Sequence, residues 1–170
     1  PNTIDAVLLT HAHVDHCGLL PKLVRDGFKG KIYCTTATSE ITEIMLLDSA
    51  KLQQEDAEFK KRRHQREDRR GPFPEIPLYT MDDAKSVFPM LSAMRYEETI
   101  PIGDGVKASF HDAGHVLGSS MIKIVVSQEG EERTIIFSGD IGTRNKPILR
   151  DRTTFDEADY VIVESTYGDR

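Results

Sequence analysis

Residues 4–10 form an apolar, β-branched and leucine-rich run of strand length that stops abruptly at His11. Beyond a polar loop, Leu19, Leu20, Leu23 and Val24 recur at helical spacing, and Gly27 and Gly30 close that helix before a short strand over 31–34. The pattern then predicts a long helix capped by Thr36 or Thr38. Its apolar stripe is Ile41, Ile44, Met45 and Leu52, its end beyond Gln53 is charged, and Pro72, Pro74 and Pro77 stop it. Thr80 and Asp83 make a capping-box pattern ahead of Ala84, Val87, Phe88 and Leu91, which follow at i, i+3, i+4 and i+7 as a further helix. From Tyr96 onward the period changes to two: Val106, Ala108 and Phe110 alternate with Lys107, Ser109 and His111, as in a half-buried strand. Residues 121–126 and 134–137 are two more strands joined by the polar turn 128–132, and 160–163 is continuously apolar, as in a strand covered on both faces. This mixed order predicts one compact α/β unit over 1–170.

Composition narrows the class. The 170 residues are 38% apolar and 29% charged, which is enough to bury a sizeable core and excludes collagen-like and compositionally disordered chains. The longest apolar stretches, 6–9 and 160–163, fall far short of the roughly 20 residues that a membrane helix needs, so no membrane association is expected. With only Cys17 and Cys34, a disulfide scaffold is excluded and a cytoplasmic location is expected. The first residue is Pro1 and a strand begins three residues later, so the chain reads as an internal portion of something longer. Ser119 and Ser120 lack a Gly-x-Ser-x-Gly elbow, which argues against a serine hydrolase.

Three apolar runs end in residues able to bind a cation: 8–10 into His11, 135–137 into Ser138-Gly139-Asp140, and 161–163 into Glu164. In α/β sheets ligands collect at the carboxyl ends of strands, so convergence on one sheet edge is expected. The strongest signal is His11-Ala12-His13-Val14-Asp15-His16. In an extended loop residues i and i+2 face the same way, so His11 and His13 can grip one cation while Asp15 and His16 turn to a second. Imidazole and carboxylate suit zinc, and manganese or iron also fit. Two imidazoles and two further loop ligands do not complete two ions, and His115 and Asp140 are the best additional donors. Gly114 would let the backbone turn sharply beside His115, and the two oxygens of Asp140 can bridge two cations where a neutral histidine cannot. His111 lies on the polar face of its strand as a non-ligand, Cys17 reads as a packed thiol, and Cys34 as core.

Together these residues resemble the metallo-β-lactamase superfamily, and Glu164-Ser165-Thr166-Tyr167-Gly168 resembles the acidic motif A of its β-CASP branch, the nucleic-acid-processing nucleases. The phrases over 10–21 and 111–120 are similar to that branch as well, so the resemblance spans almost the whole chain. It implies an αββα sandwich, partial here, lacking the N-terminal strands, the β-CASP cap domain and the C-terminal part. It also implies two Zn2+ ions: His11, His13 and His115 on the first, Asp15 and His16 on the second, Asp140 bridging both, and Glu164 orienting a general-acid histidine outside this chain. The implied activity is phosphodiester hydrolysis of single-stranded RNA by in-line attack of a hydroxide shared between the cations, in RNA processing or decay, with homo-oligomerisation left open. A thioester or lactone hydrolase, a DNA nuclease of the same branch and a non-catalytic RNA-binding subunit are the competing readings. The run 60–70 carries seven basic and two acidic residues, which gives +5 there and -11 elsewhere in a chain of net charge -6. It reads as a solvated helix end, His64 included, or else as a flap meeting nucleic-acid phosphates near the metals.

Overall fold

The computed structural model describes residues 1–166, Gly168 and Asp169. The first apolar run becomes β1 (Ala6–Leu8), followed by α1 (Val14–Cys17), α2 (Leu20–Arg25), β2 (Lys31–Thr35), α3 (Thr36–Arg66) and α4 (Met81–Val87). A 3-10 turn, Phe88–Met90, leads into β3 (Leu91–Met94), and the remainder is β4 (Thr99–Gly103), β5 (Val106–Asp112), β6 (Ser120–Gln128), β7 (Glu131–Phe137) and β8 (Tyr160–Ile162). β1, β2 and β3 form a parallel sheet in that order. β4 to β8 form a second sheet in chain order, antiparallel until β8 adds in parallel to β7. Glu129 and Gly130, both at positive φ, make the tight turn between β6 and β7, whose twist matches that of the strands.

Strand alternation explains the layers. On β2, Tyr33 points between the sheets, where with Leu8 and Met94 it meets Phe110, Ile122 and Ile124 of the second sheet. Ile32 and Cys34 point the other way, into a larger core shared with Cys17, Leu20, Leu46, Ala50, Ala84 and Val87, so α1, α2, α3 and α4 lie on that outer face. The α/β fold with two facing sheets is borne out; of the αββα sandwich that the resemblance implies, the described residues form three layers, helices on sheet on sheet. Among the described residues no helix is long and apolar enough to cross a membrane.

Several details differ from the sequence reading. The cap of α3 is Thr35, one residue earlier than expected, and its hydroxyl accepts from Thr38 N while donating to Gly118 O at 2.6 Å. The buried face of α3 is Thr38, Thr42, Leu46, Ala50 and Ala57. Ile44 is 67% and Leu52 57% exposed. The expected stripe followed the largest apolar side chains, whereas Thr38, Thr42 and Ala50, on one row of four-residue spacing with Leu46, let the helix lie close to the sheet. The capping box on α4 is present as expected, with Thr80 and Asp83 reciprocally bonded. That helix stops before Pro89, and Leu91 opens a strand instead of continuing the helix. β8 is the edge strand, and Tyr160, Val161 and Ile162 are exposed on both faces rather than covered.

The two stripes on α3 separate cleanly in a stability measurement. In urea unfolding of the native protein, Leu46→Ala should cost about 2–5 kcal/mol, whereas Ile44→Ser should change stability by less than about 0.5 kcal/mol. Equal losses would show that the helix face has been misassigned.

Candidate metal centre

The site forms where the carboxyl end of β1, from one sheet, meets the carboxyl ends of β7 and β8, from the other, so convergence is across the sandwich and not on one sheet edge. Ser120, the first residue of β6, donates both its N–H (2.8 Å) and its hydroxyl (2.9 Å) to the Thr10 carbonyl, clamping the two sheets next to His11. The loop between β5 and β6 carries His115. Asp112 Oδ1 accepts from Gly114 N, Gly114 takes φ +64, and the Ser119 hydroxyl accepts from the backbone N–H groups of His115 (3.0 Å) and Val116 (3.1 Å). Gly118 O at the far side of the loop receives the Thr35 and Thr38 hydroxyls from the start of α3. The loop after Asp140 presses on this one: Gly142 N donates to Ala113 O, and a Cβ on Gly142 would sit 1.6 Å from the Gly114 carbonyl oxygen, so only glycine fits.

These supports bring the six residues singled out in the sequence together. His13 Nδ1 lies 3.1 Å from His11 Nε2 and 3.3 Å from His115 Nε2. Asp140 Oδ2 lies 3.6 Å from His11 Nε2 and 3.5 Å from His115 Nε2. The other oxygen, Asp140 Oδ1, faces His16 Nε2 at 3.3 Å, and His16 Nε2 is 3.5 Å from Asp15 Oδ2. Asp140 therefore stands between a three-histidine group and an Asp15–His16 group, one oxygen toward each. The Asp15 side chain, 73% exposed against 28% for Asp140, lies on the open side of the group.

Glu164 reaches the same place by another route. Its Oε1 accepts from Ile141 N (2.6 Å) and its Oε2 from the Thr166 hydroxyl (2.8 Å), while its own N–H donates to Ser138 Oγ. The Ile141 N–H, then Thr166, hold its carboxyl below the usual range. In this structure Glu164 anchors the backbone beside Asp140. Tyr167 of the same motif lies outside the described residues.

Electrostatics favours a cation at this point. Burial, reinforced by His16, lowers His11 to about 4, with Asp140 opposing, and burial also lowers His115 against the pull of Asp140. In both rings burial disfavours protonation. His11 Nδ1 lies 3.1 Å from Thr10 Oγ1; in the tautomer with the proton on Nδ1, that hydroxyl oxygen can accept it and Nε2 is left to face the cluster as a lone pair. Lone pairs and a carboxylate pointed at one spot repel one another unless a positive charge lies between them. Ligand atoms about 2.0–2.1 Å from a tetrahedral ion sit about 3.3 Å apart, close to the separations found here. One atom each from His11, His13, His115 and Asp140 lies within 4.8 Å of the others. The donor set fits a divalent cation.

The remaining candidates are placed as non-ligands. His111 Nε2 pairs with Ser109 Oγ at 2.9 Å and its ring meets Phe155 edge-on at 4.9 Å, as its strand position implied. Cys17 is fully buried with its thiol directed to Ala12 O, and burial pushes it up to about 11; burial pushes Cys34 up to about 12. His64 is not solvated as expected: its ring is largely covered and hydrogen-bonded to Glu75. Thr10 and Ser119 were not singled out by the sequence, because an isolated hydroxyl carries no spacing signal.

Residues 1–165 match the metallo-beta-lactamase superfamily domain. The chain belongs to that superfamily. Within it, the chain is 39% identical over 170 residues to "Ribonuclease TTHA0252" of Thermus thermophilus, covering 100% of this chain and 33% of that protein. It is 31% identical over 166 residues to "Transcription termination factor FttA" of Methanocaldococcus jannaschii, covering 97% and 23%. It is also 31% identical over 166 residues to an "RNase J-like protein" of the same organism, covering 97% and 32%. The chain thus spans a third or less of the length of these relatives. The resemblance to the superfamily and its β-CASP nuclease branch is borne out by these matches.

Thr10 Oγ1 is the hydrogen-bond partner of His11 Nδ1, on the side of the ring away from the cluster. Thr10→Val keeps the shape and removes the acceptor, so divalent-cation affinity measured by calorimetry should fall about 10–100-fold. Unchanged affinity would mean that Thr10 does not set the orientation of His11.

Proposed function

We propose that this chain is the metallo-β-lactamase domain of a zinc-dependent ribonuclease of the β-CASP type, acting on single-stranded RNA in processing or decay. The observation that carries this reading is the division of Asp140: Oδ2 turned to His11 and His115, Oδ1 turned to His16, with Asp15 alongside. In the proposal His11, His13 and His115 hold one cation, Asp15 and His16 hold a second, and Asp140 is shared. Zinc suits the imidazole-rich set, with Mn2+ or Fe2+ as substitutes. Two divalent cations at this position supply a water of lowered pKa and neutralise charge on the phosphoryl oxygens of the scissile ester.

The chain's own residues set the geometry for that chemistry. Asp140 is held by the Glu164–Ile141 bond on one side and by the Gly142–Ala113 contact on the other, so its two oxygens stay directed to separate groups. His11 is buried and neutral, and remains a ligand donor through the physiological range. Asp15 and the partly exposed His16 lie on the open side, where an extended phosphodiester can approach. The names of the relatives, a ribonuclease and an RNase J-like protein, favour RNA as the substrate. Cys17 and Cys34 are both free and buried, in keeping with a cytoplasmic protein.

The test uses the native enzyme and a labelled single-stranded RNA of about 20 nucleotides. Chelation should abolish cleavage and added Zn2+ or Mn2+ should restore it. His13→Ala and Asp140→Ala should each lower kcat/KM by at least about 1,000-fold, while His111→Ala stays within about threefold. Cleavage that survives chelation or the Asp140 variant contradicts the reading, as does hydrolysis of acyl thioesters with none of RNA.

A further inference from the structure

The basic run 60–70 is not a flap beside the metal centre. Helix α3 starts at the site edge, where Thr35 and Thr38 are bonded to the loop carrying His115. It then runs for 31 residues, about 46 Å at about 1.5 Å per residue, so its basic end lies far from the candidate ligands. Three of the seven cations there are taken up locally: Lys60 by Asp56, and Arg63 and Arg69 by Glu67. Among the described residues, Lys61, Arg62, Arg66 and Arg70 pair with no carboxylate within 4.0 Å, and all four are exposed.

The charge is accompanied by exposed aromatic surface on a rigid support. Phe59, Arg62 and Arg66 fall at i, i+3 and i+7 on one face of α3, and Phe59 is 59% exposed. Phe73, in the segment that returns along the helix, is 80% exposed. That segment is pinned back onto α3 at three points: Glu75 on His64, Leu78 N on Gln53 Oε1 at 3.0 Å, and the Tyr79 hydroxyl on Ser49 Oγ at 2.8 Å. Between helix end and returning segment lies a concavity of about 370 Å³ lined by His64, Gln65, Asp68, Arg69, Arg70 and Glu75. Unpaired guanidinium groups beside exposed aromatic rings are the combination that holds single-stranded nucleic acid, the cations on phosphates and the rings on bases. A chain of net charge -6 that concentrates +5 in eleven positions directs a polyanion to that end.

We infer that the end of α3 is a tether for the single-stranded RNA flanking the cleavage point, engaging it through Arg62, Arg66, Arg70 and Phe59. This inference rests on the ribonuclease reading for the identity of the polyanion. At about 3.4 Å per stacked nucleotide the span from site to tether corresponds to about 14 nucleotides, fewer when the strand is stretched. Long substrates reach it and short ones do not.

The experiment compares the native metal-loaded enzyme with Arg62→Gln/Arg66→Gln/Arg70→Gln, and with Lys29→Gln/Lys31→Gln/Lys51→Gln as a control of equal charge loss. Binding of a phosphorothioate RNA 25-mer is read by fluorescence anisotropy across a salt series, and kcat/KM is measured on a cleavable 25-mer and 5-mer. The arginine variant should bind the 25-mer about tenfold more weakly, with a salt slope flatter by about 2, at about 0.7 per lost contact. Its kcat/KM on the 5-mer should match the native enzyme, and the lysine control should bind the 25-mer normally. Unchanged 25-mer affinity and slope overturn the tether, as does an equal loss on the 5-mer or in the control. Unchanged 25-mer binding with lost adhesion to phosphatidylserine vesicles overturns it in favour of a lipid surface. Failure of the native enzyme to cleave either RNA falls on the ribonuclease reading, and the anisotropy alone then decides the tether.

Discussion

The Thr10 carbonyl accepts two hydrogen bonds from Ser120, and the rest of the site is hung from that clamp. It joins the end of a strand in the parallel sheet to the first residue of a strand in the antiparallel sheet, so the loop after β1 and the loop between β5 and β6 are fixed relative to one another. His11, His13 and His115 then converge with Asp140 although 102 residues separate His13 from His115. Such a group is crowded by itself: one ring nitrogen from each of three histidines and a carboxylate oxygen lie within 4.8 Å of one another. The fold tolerates it because burial keeps His11 unprotonated while Thr10, Ser119 and Glu164 satisfy the atoms that point away from the centre.

Parts of this arrangement were open to reading in the sequence, and the physical reason differs residue by residue. The His11–His16 segment was legible because its candidate ligands lie within six positions; the extended reading holds for His11 to His13, whereas Asp15 and His16 are presented by the turn of α1. β5, β6 and β7 were legible through the two-residue period and the tight polar turn. Sequence spacing says nothing about distance between far segments, so His115 and Asp140 were placed by the chemistry of their local phrases and by resemblance to the family. Thr10 and Ser119 stayed hidden because they act through single hydroxyl contacts. The face of α3 was misread because Thr38, Thr42 and Ala50 carry little hydrophobic signal, yet their small size sets how closely the helix approaches the sheet. β3 was missed because four residues directly after a helical pattern offer too little alternation to reveal a strand. β8 has the composition of a buried strand but takes the sheet edge.

Helix α3 runs from the edge of the candidate metal centre to the basic run 60–70. Its first turn is tied to the loop that presents His115, and its last turns carry the chain's excess of positive charge. Acidic composition elsewhere does not oppose a polyanionic substrate at the site, since two divalent ions would reverse the local sign there. On the proposed reading one element spaces the cation site from a second, more diffuse region of positive charge, an arrangement that would let a chain of net negative charge hold and orient an extended strand.

The most direct test of the central claim is anomalous diffraction from crystals of the native protein at the zinc, manganese and iron absorption edges. The account predicts two peaks about 3.5–4 Å apart, one beside His11, His13 and His115 and one beside Asp15 and His16, with Asp140 between them. No peak at that position in protein purified without chelators, or bound metal only at some other cluster, would contradict it.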